Sequence, residues 1–216
     1  KIRHLRTLSI FLAAYWFYID GVGTVIRMAV DYGLSIGFSS SDLITALLLV
    51  QFIGFPAALF FGQLGTRWDS RKSILIGIGI YLIITVWGTQ MRSQFEFYGL
   101  AVLIGIAQGG VQALSRSFYA RLIPKNQTAE YFGFYNTLGK FAAIIGPLLM
   151  GTTALVAKGW LLGDNPSTAE LESVGKEAAR WSIASISILF LIGGALLWKV
   201  DEEQGRREAR ILERHD

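Results

Sequence analysis

The chain has 216 residues, of which 52% are hydrophobic and 17% charged, with a net charge of +4. Soluble domains carry about a quarter charged residues, so this deficit, gathered between long apolar blocks, marks an integral membrane protein. Cysteine is absent and the only histidines, His4 and His215, lie at the charged ends, which excludes disulfides, cysteine nucleophiles and histidine chemistry in the interior.

Six apolar blocks fall at roughly 8–34, 42–64, 72–91, 97–120, 130–156 and 178–199, each near the ~20 residues a bilayer crossing needs. They are too long for spanning strands and show no alternation of period two. The predicted fold class is therefore all-α, with six transmembrane helices and a charged tail over 201–216.

The first span carries an acid, Asp20, near its middle and a base, Arg27, two turns later. A charge at membrane depth costs at least ~2.5 kcal/mol, so each needs a partner or water. Trp16, Asp20, Gly23 and Arg27 share one helical stripe. Asp31 is placed to pair with Arg27 near the far end. The second span holds Pro56, which predicts a kink. The third is plain.

The fourth span carries Gln108, Gln112, Ser115, Arg116 and Tyr119 along one side, and polar side chains at this depth face a bundle interior or a water-filled cavity. Gly105 and Gly109 form a GxxxG pair that allows close helix approach. The fifth span places Asn136 and Lys140 one turn apart on one face and has Pro147 as a second kink. Asp20 and Lys140 lie about 18 Å and about 15 Å into their helices at 1.5 Å per residue, so depth allows them to pair. That pair is either structural or part of a solute or proton pathway. Asp20, Gln108, Gln112, Arg116, Asn136 and Lys140 are expected to converge on one polar surface, with Arg27 a further candidate for the pathway.

Ser167 with Glu170 forms a capping box, so a helix starts there and continues into the sixth span. The tail reads as a solvated helix. Thirteen of the twenty basic residues lie on the face holding both termini, against four on the other, so that face is cytoplasmic. Nothing in the sequence asks for nucleic acid, a metal, a cofactor or a catalytic residue; the partners are the lipid bilayer and a small-molecule solute.

The loop after the second span contains Gly62, Leu64, Arg67, Asp69 and Arg71. It resembles the G-x-L-x-D-R-x-G-R-R/K loop of the major facilitator superfamily, with Thr66 where that family has Asp and Asp69 where it has its second Gly. Gly146-Pro147 with Gly151 resembles the Gly-Pro element of antiporter fifth helices. The stretches 15–32 and 108–151 resemble the C-terminal half of the vacuole effluxer-like branch, also called the unknown major facilitator family. The resemblance implies a secondary transporter whose six-helix halves, each of 3+3 inverted repeats, rock about a central site. It implies that the first and fourth spans line the cavity and that the solute is a small polar molecule, with amino acids as one class. This chain would supply one half and need a missing N-terminal half or a second copy as a homodimer. Efflux across the inner cell membrane is the expected setting. The alternative is a non-transporting scaffold or assembly subunit whose polar face binds another helix bundle.

Overall fold

The structure, a computed structural model, describes residues 5–35, 37–67, 69–91, 93–162 and 167–213. Its helices are α1 (Arg6–Ser35), α2 (Ser40–Arg67), α3 (Ser70–Gln90), α4 (Gln94–Leu122), α5 (Thr128–Phe141), α6 (Ile145–Leu161), α7 (Thr168–Trp198) and α8 (Glu202–Glu213), with a 3₁₀ turn at Lys125–Gln127 before α5. Among the described residues there is no strand, and six helical stretches are long and apolar enough to cross a membrane. The fifth of these is α5 and α6 together.

Local chemistry sets the helix starts. Asp69 caps α3 by accepting the N–H groups of Arg71 and Lys72. Ser93 with Glu96 and Ser167 with Glu170 form complete capping boxes for α4 and α7, each satisfying donors that a helix start leaves without partners. From Ser167 the chain runs as one unbroken helix to Trp198.

The core sits where α1, α3, α4 and α7 meet. Phe11, Tyr18, Tyr81, Phe118, Tyr119 and Phe190 are completely buried there. Tyr81 stacks on Phe190 at 5.1 Å between centroids, and the Tyr18 and Ser115 hydroxyls share a hydrogen bond of 2.7 Å. α4 packs on α2 and α3, while α1 packs on α7 and, more loosely, on α5 and α6; α3 and α7 pack on each other. Exchanging the first three spans for the last three maps this set of neighbours onto itself. The α2–α4 contact is backbone to backbone: a Cβ on Gly109 would collide with the Gly54 carbonyl, and one on Gly105 would meet the Val50 carbonyl at 2.9 Å. Small residues at these positions are what lets the two helices approach.

The fifth span departs from the expected kink. It breaks between Phe141 and Ile145, because Pro147 has no N–H and its ring opposes a helical carbonyl four residues upstream. The tail also departs from a freely solvated helix. Gly205 and Ala209 of α8 are buried, and Gly205 packs on Thr7 and Leu122. The Glu208 carboxylate accepts both the backbone N–H and the hydroxyl of Thr7 at 3.0 Å, so α8 caps the first turn of α1. Arg121 pairs with Glu202 at 3.3 Å and also donates to the Ser70 hydroxyl. These contacts gather the ends of α1, α3, α4 and α8 at one end of the bundle.

Candidate functional site

A concavity of about 620 Å³ opens between α1, α2, α4 and α5. Its position follows from the packing just described. The glycines of α2 and α4 draw those helices together, whereas α1 meets α5 loosely, leaving a gap that polar side chains fill. α4 contributes Gln108, Gln112 and Arg116, spaced four residues apart on one face. α5 contributes Tyr135, Asn136 and Lys140; α1 contributes Tyr15 and Ile19; α2 contributes Gln51 and Phe55. The Arg116 guanidinium donates from Nη2 to Asn136 Oδ1 at 3.3 Å, joining α4 to α5 across the cavity. Tyr15 and Tyr135 stack at 4.3 Å, and Tyr135 stacks on Tyr119 at 4.6 Å, which makes an aromatic floor. The Oε1 of Gln108 is buried and has no hydrogen-bond partner.

The polar stripe of α4 divides. Gln108, Gln112 and Arg116 turn to the concavity, while Ser115 bonds Tyr18 in the core and Tyr119 donates to the Tyr131 carbonyl at 2.7 Å. Five of the six residues expected on one polar surface therefore line one space.

Asp20 does not. It is fully buried, and its partners are backbone amides rather than Lys140. Ile145 donates its N–H to Asp20 Oδ2 at 2.8 Å, Gly146 donates to Oδ1 at 3.1 Å, and the Thr24 hydroxyl donates to Oδ1 at 3.3 Å. Pro147 has no N–H, and Leu148 donates to the Ile144 carbonyl at 3.3 Å. Every backbone donor in the first turn of α6 is thus satisfied, two of them by an acid from another helix. The partial positive charge of the half-helix start stabilises the carboxylate where a lysine was expected to. The approach requires glycine: a Cβ on Gly146 would collide with the Thr24 hydroxyl.

The expected Arg27–Asp31 pair is also replaced. Arg27 is exposed, and its Nε–H donates to the Gly23 carbonyl one turn back at 3.0 Å. A base followed four residues later by an acid is the less favourable order for a helical ion pair. In the loop after α2, Gly62 is exposed and Asp69 caps α3, while Arg71 donates to the Val200 carbonyl at 2.7 Å and ties the start of α3 to the end of α7. The side chains of Leu64 and Arg67 lie outside the described residues. The lining residues that the sequence did not single out are Tyr15, Ile19 and Gln51; the apolar blocks hide them, and the packing of α1 against α5 brings Tyr15 onto Tyr135. A second, smaller cavity of about 70 Å³ beside Val25 and Ile104 is lined almost wholly by apolar groups. Among the described residues no cluster could hold a metal ion.

Residues 1–154 match the family described as "Vacuole effluxer Atg22 like". An uncharacterized MFS-type transporter of Bacillus subtilis is 41% identical over 203 residues, covering 94% of this chain and 43% of the relative. Autophagy-related protein 22 of Yarrowia lipolytica is 25% identical over 223 residues, covering 99% of this chain and 35% of the relative. The protein of the same name from Gibberella zeae is 26% identical, covering 98% and 32%. The chain thus spans under half the length of these curated relatives. No solved structure matches it.

Proposed function

The chain belongs to the vacuole effluxer Atg22-like family, and on that premise we propose that it forms half of a secondary transporter moving a small polar solute by alternating access. The observation that carries this reading is the concavity: polar side chains of α4 and α5 gathered inside a bundle whose outer faces are apolar. Such groups cost too much facing lipid and belong against water or a solute. The exchange symmetry of the helix contacts supports two three-helix repeats of inverted topology, with a solute site between them.

Gln108, Gln112, Arg116, Asn136 and Lys140 form the solute surface of this half. Asp20 acts on it indirectly, by holding the start of α6, and Arg27 lies outside it. The loop residues Gly62, Leu64, Arg67, Asp69 and Arg71 act at the bundle end, where Arg71 binds the end of α7. A second six-helix bundle closes the concavity, as the remainder of a longer protein or as a second copy. α2, with Phe52, and α6, with Leu155 and Trp160, present exposed apolar side chains on the outside of the bundle. The excess of basic residues at the α8 end supports cytoplasmic termini, and the inner cell membrane is the proposed setting. Amino acids are the proposed solute class, exported from the cell.

Uptake by liposomes containing the full-length gene product tests this reading. Accumulation of a radiolabelled polar solute above empty liposomes, abolished by Gln112→Trp, is the expected result. The same folded protein with no flux of any solute in a broad panel would leave the scaffold reading in its place.

A further inference from the structure

We infer that the concavity takes the anionic end of its ligand, a carboxylate or phosphate, through Arg116 and Lys140. The inference deepens the transporter reading and rests on it for what becomes of the ligand. Its basis is the charge inside the cavity. Among the described residues Arg116 and Lys140 are the only charged side chains lining it, and both are cations. The acid expected to neutralise Lys140 is committed elsewhere: the oxygens of Asp20 accept from Ile145, Gly146 and Thr24. Among the described residues Lys140 has neither a hydrogen-bond nor an ion-pair partner.

The placement suits an oxyanion. Asn136 and Lys140 lie one turn apart on α5, and Asn136 accepts from Arg116 on α4. That bond uses one of the five guanidinium donors and holds the planar group steady, leaving the others for a ligand. Arginine presents a fork that fits carboxylate or phosphate, and lysine adds a mobile point charge. Gln112, one turn before Arg116, supplies uncharged donors beside them. Two like charges in one cavity repel each other, and an anion relieves both. The competing source of negative charge is an acidic residue on the bundle that closes the cavity.

The test uses the full encoded protein in phosphatidylcholine nanodiscs. Its Tm is measured against increasing lactate, acetate or inorganic phosphate, with methylammonium and glycerol as controls. The expected result is saturable protection by lactate and acetate, by phosphate, or by both, and none by the controls. The comparison of the carboxylates with phosphate identifies the anion. Arg116→Gln and Lys140→Gln should each weaken the apparent affinity about tenfold, the scale of one charge-assisted contact, while Lys140→Arg retains most of it. The Tm of each variant without ligand reports whether it still folds. Absence of protection by any anion, or equal protection in folded Arg116→Gln/Lys140→Gln protein, overturns the inference and assigns the two cations to the closing bundle. Flux of the protecting anion into proteoliposomes is read separately. Protection without flux leaves the anion site standing and removes the transporter reading; flux confined to amines or neutral solutes keeps transport and overturns the anion site.

Discussion

Asp20→Asn separates a cap from an ion pair. The substitution keeps the side-chain size but removes the charge and one of the two oxygens that accept from α6. It should destabilise the protein by about 1–3 kcal/mol, the cost of leaving a buried donor unsatisfied, read as a lowered Tm in detergent. Adding Lys140→Met should restore none of that loss, because Lys140 is not the partner; recovery in the double variant would show that the two charges do pair. The acid, its depth and its need of a partner were all legible in the sequence. Its partner was not, since two free backbone amides exist only once α5 and α6 separate, and nothing in the first span announces a break in the fifth. The pointer was Gly146-Pro147: a proline with no N–H just inside a helix start, after a glycine that leaves room for a carboxylate. The rotation of α1 follows from the same event. With Asp20 and Thr24 turned to α6, the neighbouring face, Tyr15 and Ile19, meets the cavity.

Glycine sorts the helices by how closely they pack. Gly109 touches the backbone of α2, whereas nothing lies within 4 Å of a Cβ placed on Gly151 of α6. Gly109→Ala should cost about 1–3 kcal/mol by forcing α2 and α4 apart. Gly151→Ala should gain up to about 1 kcal/mol from helix propensity alone. Thermal melts of the two proteins side by side check this, and equal effects would contradict the close α2–α4 contact. The GxxxG spacing on α4 was visible in the sequence; which of the 24 glycines sit at a contact was not, because that depends on the facing helix. α8 carries the same lesson. Its charges suggested solvent, yet Glu208 caps α1 from 201 positions away, and Gly205 nests against Leu122. Glu208→Ala should speed amide hydrogen exchange at Thr7 and across residues 202–213, with α3 unaffected. Unchanged exchange in α8 would mean that the helix is held by something else.

Across the whole molecule, six apolar runs and the alternation of basic loops were enough to read an all-helical membrane bundle, because length and charge act locally. The cavity was half legible: the polar faces of α4 and α5 could be read from spacing, but their convergence depends on loose packing of α1 that no local pattern records. The topology is open to direct test, since the chain has no cysteine of its own. Single cysteines at Ser39 and Gln204, both exposed, should react with a membrane-impermeant reagent from opposite sides of the bilayer. Reaction of both from one side would contradict the six-span arrangement. The central claim is that the concavity is a solute pathway and not a seam buried against another bundle. The most direct measurement is labelling of Gln112→Cys by an impermeant maleimide in right-side-out and inverted vesicles containing the full encoded protein. Alternating access predicts labelling from both sides, slowed from both by the transported solute. A cysteine that reacts from neither side in the membrane, and only after the bundles are separated in detergent, would contradict it.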